Sequence, residues 1–204
     1  MSGTSVVIGD DGIARCAWGT SSEEYRRYHD DEWGFPLHGD RLLFEKISLE
    51  GFQAGLSWIS ILRRRDAFRE VFHGFDIERV ANLTPADADA LMTDARIIRN
   101  RAKIEATISN ARVVRDFIAD RPGALDELVW SFAPAEHARP RSFDDVPAVT
   151  RESTALSAGL RSLGLRFVGP TTMYALMQSG GLVDDHVSGC WRAELAPSPA
   201  ERSG

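Results

Sequence analysis

The chain has 204 residues, of which 43% are hydrophobic and 26% charged, and its formal net charge is -6. A chain of this length buries roughly 70% of its unfolded surface, and the balanced composition excludes disordered, coiled-coil and collagen-like proteins. No segment has the continuous apolarity of a membrane span, and the N-terminal residues lack the basic and apolar parts of an export signal. We therefore expect a cytoplasmic protein with reduced thiols.

The hydrophobic periodicity is helical along nearly the whole chain, and no window alternates as a strand does, so we predict an all-α protein. Capping patterns predict helix starts at Ser21, at Asp40, and at Thr84 with Pro85 behind it. Further helices are predicted over 57–72, 101–118, 123–132, 153–163 and from 170 to the glycines 180–181. Residues 15–195 are predicted to form a single domain, between poorly ordered tails over 1–14 and 196–204.

The sequence contains two cysteines, Cys16 and Cys190, and each has a histidine nearby, His29 and His186. Four residues separate His186 from Cys190, a spacing that places both side chains on one face of a helix. Two thiolates and two imidazoles are the ligand set of a closed, structural zinc site, which would tie distant parts of the chain together. The alternative is two free thiols and two ordinary histidines, because these spacings match no zinc-finger pattern.

Glu50 falls on the apolar stripe of the helix predicted from Asp40. A buried carboxylate is costly unless it is paired, and the usual explanation is a salt bridge to an arginine of a neighbouring helix. The alternative is a binding site, because aromatic walls around one carboxylate suit a flat, partly cationic nucleobase. The sequence around Glu50 is rich in such residues, although aromatics of this kind are as often core: Trp18, Tyr25, Tyr28, Trp33 and Trp58.

Residues 161–176 read as a helix, a glycine turn and a second helix that starts at Pro170, which resembles a helix-hairpin-helix element. Backbone N–H groups of such a turn bind a DNA phosphate without side-chain charge. An ordinary pair of antiparallel helices has the same sequence pattern.

Lys46 and Lys103 are the only lysines among 24 basic residues, and the arginines cluster in sequence. The clusters are Arg63, Arg64 and Arg65, followed by Arg96, Arg99, Arg101, Arg112 and Arg115. Such clusters contact phosphate or form solvated helix faces, and the acidic net charge favours the second interpretation.

Six blocks of sequence, in order, resemble the DNA-3-methyladenine glycosylase I family from about Cys16 to Trp191. The blocks are Cys16-x-Trp18, Tyr28-His29-Asp30-x-Glu32-Trp33-Gly34, Leu49-Glu50-Gly51-x-Gln53-Ala54-Gly55-Leu56-Ser57-Trp58, Val129-Trp130-Ser131-Phe132, Phe167-Val168-Gly169 and Asp185-His186-Val187-x-Gly189-Cys190. The resemblance implies the all-helical fold of the helix-hairpin-helix glycosylases and a role in base-excision repair.

The resemblance also implies roles for individual residues. The four residues Cys16, His29, His186 and Cys190 match the family's structural zinc site, with one Zn²⁺ per chain. The base pocket is matched by Glu50, as the carboxylate that recognises the base, together with Tyr28 and Trp58, and we expect Trp18 and Tyr25 to line it. We expect Gly169 and Arg161 to contact DNA phosphate.

The loop between Glu50 and Trp58 is placed to fill the gap that a flipped base leaves in the duplex. We therefore predict that Gly55 and Leu56 contact DNA, with Leu56 as an apolar wedge. The alternative is that Leu56 is a core leucine.

Two positions depart from the wider superfamily pattern. Phe167 stands where the hairpin turn usually has its first glycine, and Asp184 lies near the place where other members carry a catalytic aspartate that this family is understood to lack. We expect Asp184 to be the N-cap of a helix that presents His186 and Cys190.

The resemblance implies a monomeric enzyme that hydrolyses the N-glycosidic bond of 3-methyladenine in double-stranded alkylated DNA, without lyase activity, and releases the free base. A non-catalytic lesion-binding module of the same fold is the alternative. A zinc hydrolase is a third possibility, but it requires an open metal position that a site with two cysteines and two histidines does not offer.

Overall fold

The computed structural model describes residues 4–195, which form two compact units. The first unit consists of the described residues up to Pro36, Ala133–Ala148 and the residues from Met177 onward, and the second unit of Leu37–Phe132 and Val149–Leu176. We expected one domain over 15–195, so the structure differs from that expectation. The segments of the two units alternate along the chain. Such units are not joined by a separate linker, so no change in amino-acid composition marks their boundaries. The tail predicted over 196–204 lies outside the described residues.

The described residues are mostly helical, as predicted. The helices are α1 Glu23–Asp31, α2 Asp40–Gln53, α3 Trp58–Leu62, α4 Arg65–Val71, α5 Ile77–Ala81, α6 Pro85–Leu91, α7 Arg101–Ile118, α8 Ala124–Trp130, α9 Arg151–Leu163, α10 Pro170–Ser179 and α11 Trp191–Leu195. Short 3-10 turns occupy Ala17–Thr20, His73–Phe75 and Phe143–Asp145. Within residues 4–195 no helix is both long and apolar enough to cross a bilayer.

The first unit opens with a small antiparallel hairpin that the sequence analysis did not predict. Strand β1, Val6–Ile8, pairs with strand β2, Ala14–Cys16. Gly12 closes the turn with a φ of 76°, a conformation that glycine adopts without strain. The prediction of a poorly ordered tail is therefore wrong for residues 4–14, and the prediction of an all-α chain overlooked this hairpin. Three-residue strands are too short to show the alternation by which strands are recognised.

Helix α7 has its predicted bounds, and helix α6 begins where its capping pattern predicted. Helix α7 runs over Arg101–Ile118, and Asn100 caps it by accepting a hydrogen bond from the backbone N–H of Lys103. Helix α6 begins behind Thr84 with a complete capping box and with Pro85 in its first turn. Both helices have the start signals and the apolar period that make a helix recognisable in sequence.

Other predicted helix starts are wrong. Ser22, one residue later than expected, caps α1, because the Ser21 hydroxyl donates to the Trp18 carbonyl of the preceding turn. Asp40 does not cap α2, because its carboxylate accepts hydrogen bonds from the backbone N–H groups of Gly123 and Asp126.

The single helix predicted over 57–72 is wrong, because this segment contains two short helices, α3 and α4, with Arg63 as the C-cap of α3. Apolar residues on both sides of such a break keep the helical period, so the pattern does not reveal it.

Helix α2 is the central element of the second unit, with every residue from Leu43 to Phe52 buried. Buried phenylalanine rings of this unit pack on one another, among them Phe52, Phe68 and Phe72. Lys103 of α7 donates to the carbonyls of Phe52 and Ala54, which end α2, and desolvation lowers the pKa of its ammonium. These contacts fix the direction in which the chain leaves α2 towards Trp58.

Candidate functional site

Three donor side chains of the first unit converge in its core. Cys16 ends β2, His29 lies on α1 and Cys190 directly precedes α11. Their donor atoms all lie within 4.8 Å of one another, and all three residues are fully buried. The Cys190 sulfur is 3.4 Å from Nε2 of His29. A buried group of two sulfurs and an imidazole fits a metal ion that prefers nitrogen and sulfur ligands.

The His186 ring lies beside this cluster, although His186 is not among the three residues whose donor atoms lie within 4.8 Å of one another. Its ring lies 5.0 Å from the His29 ring, centroid to centroid, and its Nε2 atom is buried with no hydrogen-bond partner among the described residues. A buried, unpaired ring nitrogen is costly unless it binds a further group. This orphaned atom makes His186 a candidate for the fourth donor of a tetrahedral site.

Each imidazole is oriented by a carboxylate on its other nitrogen. Nδ1 of His29 lies 2.8 Å from Asp30, and Nδ1 of His186 lies 2.8 Å from Asp184. Burial alone would raise the pKa of both carboxyls, but hydrogen bonds from Arg15 and His29 to Asp30, and from His186 to Asp184, leave each pKa lowered. The ionised carboxylates therefore accept the Nδ1 protons, which leaves the lone pair of each Nε2 atom for a metal.

The two sulfurs interact directly. A hydrogen bond between the cysteine side chains lowers the pKa of Cys190 and raises that of Cys16. Backbone hydrogen bonds from Val187 to Cys16 and from Arg192 to Cys190 act on both pKa values in the lowering direction. Such amides favour thiolates, the form in which cysteine binds a metal.

The helix predicted to carry His186 and Cys190 does not exist. Gly189 has a φ of 88°, which interrupts any right-handed helix there, and the backbone N–H of Cys190 donates to Val187 in a tight turn. The N-cap role expected for Asp184 is therefore wrong. Its carboxylate instead accepts from the backbone N–H and the ring of His186 and forms an ion pair with Arg139.

Two glycines allow the close packing of the histidines. A Cβ on Gly19 would lie 2.8 Å from the His29 ring, and a Cβ on Gly34 would lie 2.8 Å from Cε1 of His186. Any larger side chain would displace an imidazole. Sequence reasoning gave Asp184 a different role and missed the role of these glycines and of Asp30. Both aspartates lie within two residues of their histidines, a spacing that indicates a carboxylate bound to the ring.

Trp18 is the centre of an aromatic cluster in the first unit. Its ring contacts the rings of Tyr25, Tyr28 and Trp33, with centroids 5.7, 6.3 and 5.1 Å away, and reaches His29 at 5.2 Å. The edge-on and tilted geometries are the ones that aromatic pairs favour. The cluster is thus continuous with the histidines, and the base-binding roles of Trp18, Tyr25 and Tyr28 stay predictions.

Glu50 lies in the penultimate turn of α2 and is only 2% exposed. One of its carboxylate oxygens is 3.3 Å from Nζ of Lys46, one turn earlier on the same helix. The ammonium of Lys46 also lies over the Trp58 ring, 4.2 Å from its centroid. Glu50 thus forms an ion pair with a lysine of its own helix. Sequence reasoning missed Lys46, although the i,i+4 spacing is the signal for such a pair.

The loop between α2 and α3 exposes an apolar side chain. Leu56 is 41% exposed, and its backbone N–H donates to the carbonyl of Gln53 at 2.7 Å. Gly55 before it has a φ of 82° and no heavy atom within 4 Å of where a Cβ would stand. The alternative of a core leucine is therefore wrong, while the contacts of Gly55 and Leu56 with DNA stay predictions.

The segment between α9 and α10 is a tight turn held by side chains of neighbouring helices. Gly164 ends α9 with a φ of 105°. Asn110 of α7 both donates to and accepts from the backbone of Arg166, and the Ser157 hydroxyl donates to the Val168 carbonyl. Phe167 occupies the left-handed region with a φ of 58° and is 37% exposed. The position at which this chain lacks a glycine thus keeps the glycine-like backbone conformation.

This turn contains three backbone donors without an acceptor among the described residues. Within residues 4–195 the backbone N–H groups of Phe167, Val168 and Gly169 donate to no backbone or side-chain acceptor. A guanidinium nitrogen of Arg161 lies 3.6 Å from where a Cβ on Gly169 would stand. Free amides at a helix start, next to an arginine, are an arrangement that binds anions.

Other arginines named in the sequence analysis are less available to bind a phosphate, because carboxylates already pair with them. Arg96 is paired with Asp94 and Glu70. Arg101 is paired with Asp89 and Glu105. These exposed pairs add little stability, but they neutralise charge that would otherwise face a phosphate.

Comparison with known proteins agrees with this geometry. A family model described as methyladenine glycosylase matches residues 18–193. The chain is 44% identical over 180 residues to a DNA-3-methyladenine glycosylase of Haemophilus influenzae, a match that covers 86% of this chain and 96% of the relative.

Solved structures give the same result. The chain is similar to a crystal structure of 3-methyladenine DNA glycosylase I with a TM-score of 0.82 and 42% identity, over 87% of this chain and 98% of the other. A single-substitution variant of 3-methyladenine DNA glycosylase I, crystallised in complex with 3-methyladenine, matches with a TM-score of 0.81 and 34% identity, over 87% of this chain and 96% of the other.

Proposed function

Because the chain belongs to the methyladenine glycosylase family, we propose that it is a DNA glycosylase of base-excision repair that hydrolyses the N-glycosidic bond of 3-methyladenine. The observation that carries this proposal is the match of the family to nearly the whole described chain, together with a buried carboxylate, Glu50, whose lysine partner lies over an indole ring.

Methylation at N3 leaves the adenine ring of the nucleotide with a positive charge, which makes the base a good leaving group. The protein must then extrude the damaged nucleotide, distinguish it from adenine and stabilise a sugar that becomes cationic as water attacks. Little further chemistry is needed from side chains.

Glu50 is the residue that reads the base. Its carboxylate accepts hydrogen bonds from the exocyclic amine and favours a cationic ring over neutral adenine. Its burial strengthens this preference, because the interaction is made away from water. Trp58 and Tyr28 supply stacking faces, and Trp18 and Tyr25 line the aromatic side of the site.

Double-stranded DNA is held at the turn between α9 and α10, which acts as a helix-hairpin-helix element. The amides near Gly169 and the guanidinium of Arg161 bind backbone phosphate, which positions the duplex without reading its sequence. Gly55 and Leu56 enter the gap that the flipped nucleotide leaves in the duplex. The exposed Leu56 side chain stacks there between the neighbouring bases as a wedge.

Zn²⁺ fits the first unit, held by Cys16, His29, His186 and Cys190. The support is the donor set and the orphaned Nε2 atom of His186. When bound, zinc supplies a structural cross-link and no reacting water, because four protein ligands fill its tetrahedron. The thiolates require a reducing environment, which supports the proposal of a cytoplasmic protein. The proposal of a monomer rests on the family resemblance.

A glycosylase assay on methylated duplex DNA tests this function, with the released bases separated by chromatography. The expected product is free 3-methyladenine, with an intact sugar-phosphate backbone because no lyase step occurs. Specific binding of the lesion without release of base would instead identify a non-catalytic lesion-binding module of the same fold.

A further inference from the structure

Lys46 is a buried cation that contacts Glu50, the residue proposed to recognise a cationic base. Only 9% of the residue is exposed, and its ammonium contacts both the Glu50 carboxylate, at 3.3 Å, and the face of Trp58, at 4.2 Å from the centroid. Lysine is almost never buried to this extent unless it is paired, and desolvation of its ammonium is costly. A methionine or leucine would fill the same volume at lower cost.

The charge of Lys46 reduces the net electrostatic attraction between the Glu50 site and a cationic base. A lone buried carboxylate would bind a cationic ring tightly and would resist the loss of that charge. The Lys46–Glu50 pair is neutral as a whole, so a cationic ring beside it feels attraction from one member and repulsion from the other.

The charge of the base changes during the proposed reaction. When the bond between C1′ of the sugar and the ring nitrogen breaks, its electron pair remains with the base, which leaves as neutral 3-methyladenine. The oxygen of water bonds to C1′, and one proton is released to solvent. The positive charge thus moves from the base to the sugar as the bond breaks. An ammonium that contacts the base-recognising carboxylate lies nearer the base than the sugar, so it disfavours the bound substrate relative to the transition state.

We propose that Lys46 promotes cleavage by limiting how strongly Glu50 stabilises the cationic ring of the bound nucleotide. This proposal rests on the function proposed above. Lys46 weakens ground-state binding of the lesion and speeds the step in which the ring loses its charge, because only interactions that favour the transition state over the bound substrate accelerate a reaction.

The test is single-turnover excision and binding at pH 8, with methylated duplex DNA and with free 3-methyladenine, for the wild type and Lys46→Met. We expect the variant to bind methylated duplex several-fold more tightly and to cleave it about tenfold more slowly, the scale of a unit charge removed from a partly buried site. Affinity for the free base should change by less than about twofold, because that base is neutral and carries no net charge to interact with the Lys46 ammonium.

Lys46→Arg keeps the charge and should bind methylated duplex less tightly, and cleave it faster, than Lys46→Met does. Arg41→Met is the matched control, because it removes another i,i+4 ion pair of α2, that of Arg41 with Glu45, and should leave both values unchanged. If Lys46→Met does not fold, the comparison of Lys46→Gln with Lys46→Arg measures the same charge.

Weaker binding combined with slower cleavage in Lys46→Met would overturn the proposal, because it would mean that Lys46 only holds Glu50 in place. Unchanged kinetics would also overturn it. A wild-type protein that releases no base refutes the proposed function itself, so the two failures are distinguishable.

Discussion

Nδ1 of His186 donates to the carboxylate of Asp184 at 2.8 Å, and the opposite nitrogen of the same ring is buried without a hydrogen-bond partner among the described residues. The first contact fixes the tautomer, and the second leaves a lone pair directed into the core. This combination is usual for a metal-bound histidine, whose other ring nitrogen donates to a carboxylate. It points to the same fourth ligand as the sequence resemblance, on independent grounds.

We predict one tightly bound zinc ion per chain and its loss in Cys190→Ala. A site that joins Cys16 to Cys190 closes a loop of about 170 residues, so its removal should destabilise the protein by roughly 3 to 5 kcal/mol. Metal analysis and thermal melting with and without a chelator check this. A Cys190→Ala protein that keeps both its zinc and its melting temperature contradicts the assignment.

Gly34→Ala should be more harmful than Gly12→Ala. Both glycines have a positive φ, at 81° and 76°, so both variants carry the backbone strain of about 1 kcal/mol. Only at Gly34 would the new Cβ meet His186, at 2.8 Å, whereas Gly12 has open space around it. Zinc affinity should fall in Gly34→Ala and stay unchanged in Gly12→Ala. Equal zinc affinities in the two variants would show that the contact with His186 is unimportant.

Glu50→Gln should weaken binding of free 3-methyladenine and reduce discrimination against adenine. The amide keeps the shape of the carboxylate and loses a charge-assisted hydrogen bond, worth roughly 1.5 to 3 kcal/mol. Calorimetric titration with both bases measures the effect.

Glu50→Gln also leaves the Lys46 ammonium without its carboxylate. The double variant Glu50→Gln, Lys46→Met is therefore the control that separates base recognition from the loss of the Lys46–Glu50 ion pair. Unchanged affinity for 3-methyladenine in both variants would refute the role of Glu50.

Leu56→Ala should leave the free energy of unfolding within about 0.5 kcal/mol of the wild type, because the side chain is already exposed. Excision from duplex DNA should fall on the order of tenfold, while affinity for free 3-methyladenine stays constant, because only the duplex has a gap to fill. Leu42→Ala removes another exposed leucine and is expected to be neutral. If both variants excise equally well, Leu56 is not a wedge.

Binding to duplex DNA should depend only moderately on salt. Few phosphate contacts are expected in a protein of net charge -6 whose Arg96 and Arg101 are paired with carboxylates. At about -0.9 per phosphate, the slope of log K against log salt should be roughly -2 to -4. A slope steeper than about -6 would reveal an extended basic face.

Arg161→Glu should weaken binding to damaged and undamaged duplex alike, since a phosphate contact does not read the base. Arg96→Glu should have a smaller effect, because Asp94 and Glu70 already hold that guanidinium. A loss confined to damaged DNA would place Arg161 in the base site.

Long helices with clear ends were predictable from the sequence. Helix α7 has a capping asparagine and eighteen residues of regular apolar period, so its bounds followed from local rules alone. The segment from Asp184 to Cys190 was not predictable, because ligand spacing of four residues fits a helix and a turn equally well. A left-handed Gly189 and side-chain contacts with Arg139 decide the outcome, and both depend on tertiary structure.

For the candidate site, the sequence identified the donors but not what orients them. Cysteine and histidine are conspicuous because they are rare, whereas Asp30 and Lys46 look like ordinary surface charges until their burial and neighbours are known. The left-handed backbone conformation of Phe167 was also not predictable from the sequence. Residue propensities assign that conformation to glycine, and only the surrounding helices impose it on an aromatic residue.

The interleaving of the units determines when each can fold during translation. The second unit is complete once the ribosome has added Leu176, whereas the first still lacks His186 and Cys190 at that moment. The nascent chain therefore contains only Cys16 and His29 of the proposed zinc ligands until the remaining residues have been made. Binding of the proposed ion would then be a late event of biosynthesis, and a chain truncated after Leu176 would retain the carboxylate at Glu50 but only two of the four proposed zinc ligands.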